Sequence, residues 1–256
     1  MTSNILHIST IIDGEESKLY PTLIKSPLGN YLVDTGYNES YAQLEIELQK
    51  HGLSYQHLQG IIITHDDIDH IGCVKAIKES NRSIQIISSR KEKASLEGKV
   101  ISERLEQAIS SFDHLPDAYK PWGRKFIYSL QNVRRFKVNH TVKHQDELLN
   151  TWKVVETPGP TKGHISLFNK KSHTLIAGDA IVFRDGKLDI ANSQFNLDLD
   201  TVVDSVKTIK SLSPKKIICF HGGEVTENID SQLNDLIKKY STFKEKKVNQ
   251  FNVFYR

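Results

Sequence analysis

GIIITHDDIDHIG, Gly60 to Gly72, opens on a short apolar run and ends in a polar cluster followed by a helical pattern. The run reads as a strand buried on both faces. Within the six residues from His65 to His70 stand four candidate metal ligands, His65, Asp67, Asp69 and His70, with a further carboxylate at Asp66. An extended strand would send them to opposite faces, whereas a turn between a rigid strand and a helix can aim several at one point. Imidazole and carboxylate are the donors that zinc, manganese and iron accept. A calcium loop is a poor alternative, because the D-x-D-x-D-G order is absent and histidine is a poor calcium ligand. The bland alternative is an acidic, solvated loop.

Outward from this stretch, strands and helices alternate. Ile5–Ile12, Leu19–Ser26 and Asn30–Gly36 read as strands, Tyr41–Gly52 as a helix and Ile84–Ser89 as a further strand. Lys91–Phe112 carries one long helix-like pattern, followed by Tyr119, Trp122, Phe126 and Tyr128 with Pro116 and Pro121 among them. Strands return at Trp152–Gly159, His164–Lys171, His173–Ala180 and Lys215–Gly223, and helices at Asp198–Leu212 and Ser231–Tyr240. The alternation predicts an α/β chain with two sheets between helical layers and a helical insertion at about 90–136. Three more ligand-type residues sit at strand-edge turns: His164 after TPGPTKG, Asp179 in LIAGDA and His221 in IICFHGG. Alone, each reads as a turn residue. Together they fit one edge of a sandwich.

These motifs, with DTG at Asp34 to Gly36, resemble those of the metallo-β-lactamase-fold hydrolases in order and spacing, over most of the chain. The resemblance implies a single domain, a four-layer αββα sandwich spanning 1–256, with a binuclear metal site at one edge. It implies that His65, Asp67 and His164 hold a first metal, that Asp69, His70 and His221 hold a second, and that Asp179 bridges them. Asp34 would orient ligands through hydrogen bonds. The expected cofactors are two divalent ions, zinc first, with manganese or ferrous iron as alternatives. The family pattern is H-x-H-x-D-H, and here Asp67 stands in place of the second histidine. Three carboxylates at the metals would weaken their pull on bound water and favour the harder ions. Otherwise Asp67 does not coordinate at all.

The implied chemistry is hydrolysis, with a metal-activated hydroxide attacking an ester, lactone or thioester carbonyl and Asp69 as the catalytic acid–base residue. The rivals are a metal-dependent phosphodiesterase or nuclease, and a metal-binding regulatory protein without turnover. The net charge of +3 from 34 basic and 31 acidic residues gives no case for nucleic acid. The expected partner is a small-molecule substrate, and a homodimer is compatible. No window approaches the ~18 apolar residues that cross a bilayer. With no secretory signal at the N-terminus and only Cys73 and Cys219, the expected location is the cytoplasm. Both cysteines read as small buried hydrophobes. The insertion aromatics, Phe112 included, read as packing residues or as an apolar wall over the metals. The Lys244–Lys247 run reads as a solvated face.

Overall fold

The computed structural model describes residues 2–12, 14–191 and 198–253. The Lys244–Lys247 run lies outside the side chains so described. The first half holds β1 (Thr2–Ile5), β2 (Ile8–Ile12), β3 (Glu15–Leu19), β4 (Thr22–Ser26), β5 (Gly29–Val33), β6 (Leu58–Ile63), β7 (Gln85–Ser89) and β8 (His140–Val142). The second half holds β9 (Glu147–Leu148), β10 (Trp152–Glu156), β11 (Ile165–Asn169), β12 (Thr174–Gly178), β13 (Val182–Arg184), β14 (Lys187–Asp189), β15 (Lys216–Cys219) and β16 (Gly223–Val225). Two six-stranded mixed sheets result, ordered β1-β4-β5-β6-β7-β8 and β16-β15-β12-β11-β10-β9. Hairpins β2–β3 and β13–β14 stand apart from them.

The apolar runs explain the layering. In β6, Ile61 and Ile63 join one core with Leu44 and Leu48 of α1 (Tyr41–Lys50), while Ile62 faces the other way. The same split occurs in β15, where Ile218 meets Ile62 in the core between the sheets and Ile217 and Cys219 turn outward. A strand buried on both faces has no polar side to alternate with, which is why these runs are continuously hydrophobic. After β6 come α2 (Ile68–Ile71) and α3 (Val74–Ser80), and α3 packs with α1 on the first sheet through Val74 and Ile77. The outer layer of the second sheet is formed by two helices from the C-terminal part of the chain. The order is helix, sheet, sheet, helix.

The Lys91–Phe112 pattern is not one helix. It divides into α4 (Lys93–Leu96) and α5 (Glu103–Ser111). Gly98 takes a left-handed φ of 70°, a conformation that ends helices, and the Ser102 hydroxyl restarts one by accepting from the Leu105 amide at 3.2 Å. The insertion continues through α6 (Lys120–Gln131), whose Trp122 and Phe126 rings stack at 5.2 Å. The Ile5–Ile12 reading likewise divides, into β1 and β2, with the Leu6 amide bonded to Pro21 O between them. The outer layer is then α7 (Leu199–Ser211) and α8 (Ile229–Val253), packed through Val202, Val206, Ile209, Leu233 and Leu236. Among the described residues, no helix is long and apolar enough to cross a membrane.

Candidate metal centre

Five chain segments end at one edge of the sandwich. Strand β5 delivers Asp34, β6 delivers Thr64 and His65, the turn before β11 delivers His164, β12 delivers Asp179 and β15 delivers His221. The edge is tied across the sheets by the Ile165 amide, which donates to Thr64 O at 3.0 Å, and within the first sheet by the Asp34 amide, which donates to Ile62 O at 3.0 Å. Gly178 must be glycine: its φ is 55°, and a Cβ there would stand 2.6 Å from His164 Nε2. Gly222, at φ 107°, lies against the backbone of Phe183 in the same way.

Each buried histidine is held by its Nδ1. Thr64 Oγ1 lies 3.0 Å from His65 Nδ1, Asp34 Oδ2 lies 2.8 Å from His70 Nδ1, and Thr157 Oγ1 lies 2.9 Å from His164 Nδ1. Asp34 itself is pinned by the Thr64 amide at 2.9 Å and the Thr64 hydroxyl at 2.7 Å. A carboxylate accepting from Nδ1–H leaves Nε2 as a bare donor atom, the arrangement typical of metal-binding histidines. Asp34 thus stands where an orienting residue is expected.

The inward atoms converge. His70 Nε2 lies 3.2 Å from Asp179 Oδ1, and His221 Nε2 lies 3.3 Å from Asp179 Oδ1 and 3.1 Å from Asp69 Oδ2. Two overlapping ligand groups result, His65 with His70 and Asp179, and Asp69 with His70 and His221, the ligand atoms of each within 4.8 Å of one another. Beyond the close approach of the ligands to one another, His65 Nε2, His70 Nε2 and Asp179 Oδ1 are buried with no hydrogen-bond partner among the described residues. Buried polar atoms are normally satisfied, so three orphans at one point fit a group that supplies the missing bonds. A divalent cation does so for this donor set.

Two of the seven expected ligands are engaged elsewhere. His164 Nε2 accepts from the Asp179 amide at 3.0 Å. Asp67 caps α2, its Oδ1 accepting from the Ile68 amide at 2.8 Å, while its Oδ2 accepts from Arg104 Nε at 2.6 Å. Arg104 is 1% exposed and belongs to α5 of the insertion. The extra negative charge expected from Asp67 is therefore met by a guanidinium, which has no accessible neutral form.

Electrostatics follow the same geometry. Burial, with His70 and His164 nearby, holds His65 well below the ordinary histidine value, and burial lowers His164 to about 3. Burial opposes protonation of His70 and His221 too, but Asp69 and Asp179 overcome it and raise both. Asp179 lies well below the carboxylate range despite its burial, because His221 and His70 face it. Burial pushes the Asp67 carboxyl up against the pull of Arg104. Tyr37, which follows the DTG turn, is raised by Asp69, by burial and by Asp67, so its phenol stays protonated.

One further carboxyl ties the ligand loops together. Glu92 Oε2 accepts from the Asp66 amide at 3.0 Å and Oε1 from the Thr161 hydroxyl at 2.7 Å, joining the His65 turn to the His164 turn. Asp66 is held in turn by Arg135 Nη1, 2.7 Å from both its oxygens. Burial raises Glu92 from 4.5 to about 7, against the Thr161 hydrogen bond. Because the folded value is the higher one, stability present in acid is lost as pH climbs through about 7, on the order of 3 kcal/mol. Glu92→Gln in metal-free protein is expected to remove that loss. Urea unfolding at about pH 5 and about pH 8 checks it, and a variant as pH-sensitive as the parent would refute the assignment.

Asp67, Asp69, Asp179 and His221 line a cleft of about 450 Å³, with Tyr37, Ile68, Phe126 and Val182 on its walls and Glu16, Lys18 and Arg184 at its rim. A family model for the metallo-beta-lactamase superfamily matches residues 20–221. The chain belongs to that superfamily. It is 27% identical over 234 residues to the probable metallo-hydrolase YflN of Bacillus subtilis, covering 86% of each chain. It is 23% identical over 193 residues to the hydroxyacylglutathione hydrolase GloC of Haemophilus influenzae, covering 72% of this chain and 78% of that one. Among solved structures, the metallo-beta-lactamase family protein TTHA1429 from Thermus thermophilus aligns with a TM-score of 0.72 at 16% identity, covering 94% of this chain and 79% of the other. The DIM-1 metallo-beta-lactamase aligns at 0.64 and 14%, covering 93% of this chain and 95% of the other. These two likenesses show the αββα fold alone. As a superfamily member with relatives named metallo-hydrolases, the chain is an enzyme of the metallo-hydrolase class.

Of the insertion aromatics, Phe126 lines this cleft, whereas Tyr119 and Tyr128 are 60% and 66% exposed and neither core nor wall. Cys73 and Cys219 are both buried and unpaired in disulfides. Arg104, Glu92 and Tyr37 are absent from the sequence reading. Nothing in their local sequence marks them, because their partners lie across turns in other segments.

Proposed function

We propose that this superfamily member hydrolyses a small ester, lactone or thioester, using two divalent metals held by His65, Asp69, His70, His164, Asp179 and His221, and by Asp67 as far as it exchanges Arg104 for a metal, zinc first among them. The observation that carries the reading is the convergence of His65 Nε2, His70 Nε2 and Asp179 Oδ1, buried and unpartnered among the described residues, beneath a small cleft lined by Asp69, Asp179 and His221. Bound there, divalent ions acidify a water molecule and polarise a scissile carbonyl. Asp69, kept anionic by His70 and His221, orients that water and takes up its proton for the leaving group. The Tyr37 phenol, held protonated, donates to the substrate. Ile68, Phe126 and Val182 exclude water from the acyl group. The name of the Haemophilus relative, a hydroxyacylglutathione hydrolase, supports an acyl substrate. Two buried reduced thiols support a reducing compartment such as the cytoplasm.

The test is a panel of thioesters, lactones, carboxylic esters and phosphodiesters with protein loaded with zinc, manganese or ferrous iron. The expected result is turnover of a carboxylic substrate that a chelator abolishes and metal restores. A preference for phosphodiesters would replace the reading with a phosphodiesterase, and a metal-loaded protein inert to the whole panel would replace it with a binding protein.

A further inference from the structure

The ion pair between Asp67 and Arg104 joins the metal-ligand turn to the helical insertion. Arg104 comes from the first turn of α5, 37 residues beyond Asp67. The turn before it is fixed by the Ser102 cap. The guanidinium is buried and its Nη1 donates to Gln107 one turn on, so its approach to Asp67 is braced by its own helix. Both Asp67 oxygens are spent, one on Arg104 and one on the Ile68 amide. Of the remaining residues of that set, His164 also spends its Nε2, on the Asp179 amide. Only His65 Nε2 is left without a partner. Around Asp69, His70 Nε2 and His221 Nε2, the ion pairs found among the described residues are between the ligands themselves.

We infer that Arg104 is a positioning residue that withholds Asp67 from the metal centre, so that the two metal positions are unequal. The inference rests on the metal-hydrolase reading above. The position made by Asp69, His70, Asp179 and His221 fills first. The position made by His65, His164 and Asp67 fills only as far as a cation outcompetes the guanidinium for the Asp67 carboxylate. A divalent ion there must also bear the repulsion of a buried arginine beside its ligand. The insertion that borders the cleft through Phe126 thereby also sets how many metals the cleft holds. Movement of α5 would couple cleft shape to metal loading.

The test titrates metal-free protein with Zn2+ by calorimetry, with stoichiometry from elemental analysis and thermal midpoints at each loading. Wild type is expected to bind one equivalent tightly and a second at least about tenfold more weakly. Arg104→Gln is expected to tighten the second by about tenfold and to enlarge the Zn2+-induced rise in Tm beyond that of wild type. A merely structural arginine would lower Tm without changing the second affinity. Arg104→Gln combined with Asp67→Asn is expected to lose the gain. Two equal affinities in wild type would overturn the inference even if Arg104→Gln failed to fold, as would an unchanged second site in a folded Arg104→Gln. Either result leaves the hydrolase reading standing. Absence of any Zn2+ binding in wild type would bring down both.

Discussion

Asp179→Asn is expected to lower kcat/KM by about 10³-fold, some 4 kcal/mol of transition-state stabilisation, on whichever substrate the panel identifies. Asp179 Oδ1 lies within 3.3 Å of both His70 Nε2 and His221 Nε2 and completes the group with His65 and His70. The carboxamide keeps the size and the hydrogen-bonding shape but removes the charge that draws cations and that raises both histidines. Its amide nitrogen, if turned inward, presents a donor where an acceptor is needed. Metal content and steady-state kinetics measured together check it. A variant that keeps full metal and loses less than about tenfold in kcat/KM would show Asp179 to be dispensable. Folding should be intact, because the Asp179 backbone amide still donates to His164.

Trp152→Ala should destabilise the fold by about 3–5 kcal/mol, a large share of the ~5–15 kcal/mol that holds an ordinary domain together. Trp152 is 1% exposed and packs between the sheets with Val154, Leu167 and Ile176 of its own sheet and Ile24, Val33 and Ile62 of the other. Removing it leaves a cavity where neither sheet can relax independently. Its indole Nε1 is buried with no hydrogen-bond partner among the described residues. Trp152→Phe should therefore cost markedly less than alanine, since it deletes an unsatisfied donor along with some apolar area. Denaturant midpoints for the three proteins test this. A phenylalanine variant as unstable as the alanine one would show that the indole volume alone matters.

The legibility of this chain differed by residue. The β6 run was readable because three consecutive isoleucines, Ile61 to Ile63, have no solvent-facing partner and so announce a two-faced core. His65, Asp69 and His70 were readable because their spacing places them on one turn. His164, Asp179 and His221 depended on their shared position after strands, which the family pattern makes visible. The division of Lys91–Phe112 into two helices turned on Gly98 and Ser102, residues whose capping role outweighs the apolar periodicity around them. The exposure of Tyr119 and Tyr128 could not be read at all, since an aromatic residue in sequence looks the same whether or not a neighbour covers it.

By itself the sequence determined the alternation of buried strands and helices through periodicity, and it indicated the superfamily and the candidate ligands through the resemblance of its motifs, in order and spacing, to a known family. Tertiary structure decided what Asp67 does. A carboxylate beside His65 has the same local sequence whether it faces a cation or an arginine, and the choice was made by Arg104, brought from a distant helix into a buried contact of 2.6 Å. Desolvation leaves both charges needing a partner, and only the fold shows which partner is within reach.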